Sequence, residues 1–373
     1  MNFQLSDEQQ MLADSARQFV RDHSSVEQLR QQRQLATPDA AAWQQFAELG
    51  WLAVPFEEQH GGLGLGVIET MVLLEHLGEG LVMAPYIATV VLGGGFLRRA
   101  PLALQDDRIP ALIAGELQMA FAVEEYERVF SLENTALRAE PDGDDFRLNG
   151  CKACVLNGDQ ADLLVVLARS GATVGQRDGL SLLLVAADAD GVTRLPHRTV
   201  DGRQGAEIRF DNVRVARSAL IGEQDQGYAI AQAVLQEGLL AIAAECLGSL
   251  SVLLAQTVAY SKTRQQFGVP IGSFQVLQHR MADMFIILEQ TRSLLQAATL
   301  LYAANDEQAV AAVHALKAQL GRGGRTLAQH AIQIHGGMGM TDELDIGHHA
   351  KRITAADGLF GNADRHLQAM AGS

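Results

Sequence analysis

A helical run that is cut at one fixed place constrains this chain more than any other feature. Residues 259–283 read AYSKTRQQFGVPIGSFQVLQHRMAD. The run Ala259 to Gln266 ends a long helix, and Phe267, Gly268, Pro270 and Gly272 then break it, because Gly and Pro sit poorly inside a helix. An amphipathic helix is expected to restart near Ser273. The break holds a permanent cation, Arg264, beside an aromatic ring, Phe267, at a helix end. A guanidinium fork binds phosphate bidentately, and a ring beside it can stack on a base, so the junction suits a dinucleotide phosphate. A helix–helix corner with a solvated arginine would use the same residues, and spacing alone favours that plain corner.

With 373 residues the chain has room for two or three subdomains with sizeable cores. Its 29 basic and 44 acidic residues give a net charge of −15, which argues against nucleic acid or an anionic membrane as partner and still allows a local basic pocket. No apolar run reaches the ~18–20 residues of a bilayer span. The N-terminal MNFQLSDEQQMLADSARQFV is amphipathic and carries no signal-peptide pattern, so a cytoplasmic protein without a membrane span is expected. Three cysteines make no disulfide framework; Cys151 and Cys154 form a C-x-x-C in a strand-like stretch with no second pair. His335, His348 and His349 lie near a glycine loop without a carboxylate at metal-ligand spacing, so no metal is expected.

The pattern along the chain predicts an α+β, mostly α, protein in three parts: helices over 1–115, a β-domain over 116–222 and a four-helix bundle over 223–373. Ser6 with Gln9 predicts a capping box, and Leu12, Ala16, Phe19 and Val20 repeat at helical spacing. Helices are expected over Ala40–Leu49, Ile68–Gly78 and Pro85–Arg98. From Met119 to about Ile221 short apolar runs alternate with Gly, Asp and Asn turns, which predicts strands. The remainder is helical again, with helices from Gln224, over Phe274–Asn305 and from Glu307 to about Ile334, then the glycine loop QIHGGMGM at 333–340. Glycines there permit close backbone approach to a phosphate.

Three stretches together resemble the acyl-CoA dehydrogenase family. The Arg264–Gly268 corner is similar to its arginine-glutamine-phenylalanine-glycine signature. Phe210, Asp211, Val213, Val215, Leu220 and Gly222 are similar to its exit from the β-domain, and Gln333, Gly336, Gly337 and Gly339 to its glycine-rich element. The resemblance covers essentially the whole chain. It implies the family fold, FAD as cofactor, an acyl-CoA thioester as substrate, α,β-dehydrogenation as reaction, and a homo- or heterotetramer. It further implies that Arg264, Phe267, Gln333, Gly336 and Gly337 reach across a subunit interface to FAD on a neighbour, with Gln275 and Gln278 lining the same junction.

The departures from the family are equally specific. The family's base is a carboxylate, and gap-free counting from QIHGG puts its usual position at Phe360, followed by Gly361 and Asn362. Phenylalanine takes no proton. A second branch places the glutamate on the helix after the β-domain, where counting back from Gly248 gives Gly238; Glu237 is its neighbour and Glu245 lies seven residues on. The flavin-ring segment reads FAVEEYERVFSLENTALRA (121–139), about three residues short, with Glu124 in place of threonine. In NGCKACVLNG (149–158), Cys154 replaces the aromatic and Leu156 the threonine. Elements that a subunit donates to its neighbour survive, whereas those that hold its own flavin ring and base are altered. The expected role is the degenerate subunit of a heteromeric, steroid-type α2β2 acyl-CoA dehydrogenase. Two alternatives stay open: a homotetramer with Glu237 or Glu245 as base, and a non-enzymatic acyl-CoA-binding or scaffold protein.

Overall fold

The computed structural model describes residues 5–34, 40–126 and 129–371, with positions 26 and 32–34 described by backbone alone. In chain order the helices are α1 (Asp7–His23), α2 (Val26–Gln34), α3 (Ala40–Glu48), α4 (Val67–Glu79), α5 (Gly94–Leu97), α6 (Leu102–Gln105), α7 (Arg108–Ile113), α8 (Gly227–Thr263), α9 (Gln275–Ala303), α10 (Ala309–Gln319), α11 (Arg325–His335), α12 (Ile346–Gly358) and α13 (Ala363–Ala371). The strands are β1 (Met119–Ala122), β2 (Arg138–Asp142), β3 (Asp145–Leu156), β4 (Leu163–Arg169), β5 (Leu180–Ala186), β6 (Val192–Arg198), β7 (Gln204–Ala216), β8 (Leu220–Ile221), β9 (Gln265–Gln266) and β10 (Val269–Pro270). They pack as two units: a helical unit of Met1–Gln34, Val67–Val82 and Leu239–Ser373, and a β-unit of Leu35–Gly66 and Met83–Gly238.

In the helical unit, α1 starts as its sequence predicts. Gln9 N–H donates to Ser6 Oγ at 3.2 Å and Ser6 N–H to Gln9 Oε1 at 3.0 Å, a reciprocal cap. Helix α8 is apolar on every side, and one window of it is long and apolar enough to cross a membrane by length and composition. Unbroken apolar runs do not show this window, because they stop at each isolated Gln or Glu. That window is 78% buried inside the protein, as befits a central core helix that meets neighbours all round. Helix α4 crosses α8 with backbones touching: a Cβ on Gly78 would lie 1.9 Å from Glu245 O, and one on Gly248 1.9 Å from Glu75 O. The single helix expected from Glu307 to about Ile334 is α10 and α11 joined by a π turn at Leu320–Gly324. Gly321 sits in that turn because a Cβ there would come within 2.1 Å of Asp357 Oδ1.

The sheet of the β-unit runs β6-β7-β3-β2-β4-β5-β8, with β1 parallel to β4. Along β7, Ile208 and Phe210 and then Val213 and Val215 are buried while Arg209 and Arg214 face outward, the two-residue period of a one-sided core strand interrupted by a register slip at Asn212, whose φ is 55°. The long β3 slips register against β7 between Lys152 and Val155, and Cys154 takes a positive φ of 22° at that bulge. In the region expected as one helix over Pro85–Arg98, Ile87–Gly93 is a π turn that leads into α5.

The break at the end of α8 is a hairpin. After α8 stops at Thr263, β9 and β10 pair antiparallel, and Phe267 and Gly268 make the turn with φ of 55° and 80°. Two successive left-handed residues are the signature of the tight two-residue turn that suits strand twist. Ile271 N–H donates to Arg264 O at 2.8 Å and Ile271 is buried, so the base of the hairpin is anchored while its tip projects. Helix α9 then begins at Gln275, two residues later than the expected restart near Ser273.

Candidate functional site

The residues expected to be donated to a neighbour all lie in the helical unit and all face solvent. Arg264, Gln275, Gln278, Gln333, Gly336 and Gly337 are exposed, and the Phe267 ring is 91% exposed. A large aromatic at a left-handed turn tip is both strained and unburied, a combination that local stability does not explain. Gly336 adopts φ 61°, ψ −141°, a conformation open only to glycine, and nothing lies within 4 Å of a Cβ built on Gly336 or Gly337. Gln278 has a structural duty as well: its Nε2 donates to Gly272 O at 2.9 Å and closes the corner after the hairpin. The hairpin and the glycine loop are brought together by Tyr260, whose ring stacks on His335 with centroids 4.4 Å apart.

The four candidate positions for a base have different fates. Phe360 is buried in the helical unit with a left-handed φ of 55°. Its turn is clamped from both sides: His366 Nε2 donates to Phe360 O at 3.1 Å, and the buried Lys317 Nζ donates to Asp357 O and Gly361 O at 2.9 and 2.8 Å. Because Nε2 of His366 carries its proton, Nδ1 accepts from His314 Nδ1–H at 2.8 Å. In the β-unit, a Cβ on Gly238 would come within 2.6 Å of Leu92 Cδ2, so a longer side chain there has no room. Glu237 beside it is buried, with Oε1 accepting from Arg99 Nη2 at 2.7 Å and Oε2 from Arg98 Nη2. Glu245, in the helical unit, accepts from Arg352 Nη1 at 2.8 Å, and the two side chains are 6% and 1% exposed. A general base needs a lone pair aimed at the substrate; Glu237 gives both carboxylate oxygens to guanidiniums, and Glu245 gives its Oε1 to one.

Burial depresses the pKa of two histidines of the helical unit to about 3. For His366 the Lys317 and His314 charges add to burial, and for His349 the Arg352 and His348 charges do. Both are therefore neutral in the fold but protonate at about 6.5 in the unfolded chain. Their contribution is present above 6.5 and is lost as pH falls from there toward 3. The unfolding free energy should fall by up to ~2.7 kcal/mol per pH unit in that window, two protons' worth. Urea midpoints that stay level from about pH 7 to about pH 4.5 would contradict this.

On the β-unit side, Lys152 Nζ donates to Glu125 Oε1 at 2.8 Å and to Val123 O at 3.1 Å with no exposure to water. Burial alone would raise the Glu125 pKa, but Lys152 and the backbone N–H groups of Leu137 and Ala136 outweigh it and hold it low. Burial, with the carboxylates of half-buried Glu124 and of Asp201, pushes the Cys154 thiol up to about 11, so it is not a ready nucleophile. Leu156 is buried and offers no hydroxyl. The segment's Glu127 and Arg128 lie outside the described residues.

Comparison with known proteins decides the family. Models of the N-terminal, middle and C-terminal domains of acyl-CoA dehydrogenase match residues 6–116, 120–213 and 225–373. The chain belongs to the acyl-CoA dehydrogenase family. Members of this family are FAD-dependent oxidoreductases acting on CH–CH bonds. A probable acyl-CoA dehydrogenase of Bacillus subtilis, YngJ, is 29% identical over 93% of this chain and 92% of its own length. The solved steroid acyl-CoA dehydrogenase Tcur3481–Tcur3483, as a G363A variant, superposes with TM-score 0.89 at 29% identity, covering 98% and 97% of the two chains. The ChsE4–ChsE5 complex of Mycobacterium tuberculosis superposes with TM-score 0.91 at 25% identity over 100% and 98%.

The residues present fit FAD on one side only. The exposed guanidinium, the exposed ring and the open Gly336–Gly337 backbone suit a pyrophosphate with its adenosine. Where acyl-CoA dehydrogenases are expected to hold the flavin ring, this chain has a carboxylate, a protonated thiol and an aliphatic side chain, which supply neither the aromatic nor the hydroxyls. Sequence reasoning missed Tyr260, Arg98, Arg99, Arg352 and Lys317, and weighed His335 only as a metal ligand. Tyr260, four residues before Arg264, was open to discovery because that spacing puts both on one helix face. The others pair over long range and leave no local signal.

Proposed function

We propose that this chain is one subunit of a heteromeric α2β2 acyl-CoA dehydrogenase and completes a flavin site seated on its partner. The observation that carries this reading is the projecting hairpin, with Phe267 91% exposed at a strained tip beside the exposed Arg264; counting from the glycine loop, which puts Phe360 where the family's base is expected, supports it. In the assembly, Arg264 grips the FAD pyrophosphate, Phe267 covers the adenosine, and Gln333 with the Gly336 and Gly337 backbone closes the cradle. FAD, when bound, accepts the hydride from the β-carbon of an acyl-CoA thioester. The α-proton goes to a carboxylate that the partner supplies, since Glu237 and Glu245 are tied to arginines. Exposed Val276, Phe285 and Ile286 on α9 supply apolar surface for assembly. A bulky, steroid side-chain type of CoA ester is the substrate class, by similarity to the steroid acyl-CoA dehydrogenase Tcur3481–Tcur3483.

The test is flavin stoichiometry by visible absorbance of the purified chain, alone and co-expressed with an acyl-CoA dehydrogenase neighbour. Little flavin alone and about one per pair in a co-purifying complex is the expected result. One flavin per chain without a partner would overturn it and return the homotetramer with Glu237 or Glu245 as base.

A further inference from the structure

We infer that Tyr260 and His335 are a positioning pair that sets the hairpin against the glycine loop, so that Arg264 and Gln333 act on one ligand. This rests on the proposed flavin edge. The two rings stack at 4.4 Å between centroids and 24° between planes. Each is coupled by backbone to one half of the cradle. Arg264 N–H donates to Tyr260 O at 2.9 Å, so the two residues sit one helical turn apart at the end of α8. His335 is the last residue of α11, two after Gln333 and one before Gly336.

The His335 ring is a fixed platform rather than a mobile one. It is 5% exposed, and its Nδ1 lies 2.9 Å from Ala331 O. A carbonyl only accepts, so Nδ1 carries the proton and the ring is locked to its own helix. The glycine loop folds back onto the same residue: a Cβ on Gly339 would lie 3.1 Å from His335 Cβ and from Ile332 O. On the other side, a Cβ on Gly272 would lie 3.0 Å from Ser261 O and Oγ, which presses the return of the hairpin onto the residue after Tyr260. The stack therefore joins two turns that are each rigid at their root. A phosphate held jointly by a side chain on one and backbone amides on the other depends on that joint, since small displacements of binding groups cost large factors.

The experiment reads FAD release from the assembled protein by flavin fluorescence, without turnover. Tyr260→Ala should weaken FAD binding about tenfold, and Tyr260→Phe, which keeps the stack, should stay within about twofold. The deciding measurement is coupling. If the pair acts by placing Arg264, then Tyr260→Ala adds little to Arg264→Ala, whereas a merely structural ring gives losses that multiply. Multiplying losses, or wild-type affinity in Tyr260→Ala, overturns the inference. Should Tyr260→Ala fail to fold, His335→Phe and His335→Ala read the same contrast from the other ring. Arg264→Ala with unchanged affinity sinks the flavin edge itself, whereas loss in Arg264→Ala with none in Tyr260→Ala sinks only the pair.

Discussion

Arg352→Ala is expected to destabilise the helical unit by about 3–5 kcal/mol, a large share of what holds a domain folded. The guanidinium is 1% exposed and meets a Glu245 carboxylate that is 6% exposed, so removing one partner strands the other charge in the core. Glu245→Ala should cost a similar amount for the same reason. Replacing both at once by apolar residues of matching volume, Glu245→Leu with Arg352→Met, should cost far less than either truncation. Urea unfolding followed by circular dichroism checks all three, and a loss under about 1 kcal/mol for Arg352→Ala would show that water reaches the pair. The outcome also bears on catalysis. A carboxylate whose chief effect is on stability is an anchor, and turnover of Glu245→Gln should then follow the folded fraction.

The second large effect is expected at the opposite extreme of burial. Arg264→Ala should weaken FAD retention of the assembly by roughly 10–100-fold while leaving the unfolding temperature of the chain unchanged within a degree or two, since an exposed side chain contributes little to the fold. Arg264→Lys should recover only part of the loss, because an ammonium lacks the planar fork that meets two phosphate oxygens. The ratio of flavin to protein absorbance after gel filtration reads this directly. Full retention in Arg264→Ala would mean that the guanidinium faces water in the assembly as well.

Local chemistry made much of this legible in advance. Ser6 and Gln9 cap α1 in the way their spacing demands, and the short apolar runs AEIRF and VRVA, set off by Gly, Asp and Asn, mark β7. The hairpin was read as a break because Phe267 is a poor residue for a left-handed turn, and propensity alone does not put a bulky ring there. The π turn at Leu320–Gly324 escaped for a related reason: it answers to Asp357, more than thirty residues away, rather than to its neighbours. At the candidate site, gap-free counting named Glu237 and Glu245 as the carboxylates to examine. What it could not carry was their partners, because Arg98, Arg99 and Arg352 become relevant only once helices pack. A glutamate's identity shows that a proton can be taken; its environment shows whether it is available.

Helix α8 runs without interruption from Gly227 to Thr263, yet its first turns, with Glu237, pack in the β-unit and the rest in the helical unit. Cutting the chain where the β-strands end, at about Gly222, therefore gives a fragment that retains Arg98 and Arg99 and has lost the carboxylate between them. Such a fragment carries two like charges facing each other and should express poorly or misfold. One extended through Gly238 keeps its own counter-ion. The seam for engineering chimeras or swapping modules with a relative thus runs through the middle of a helix, and a boundary drawn from strand and helix ends would miss it.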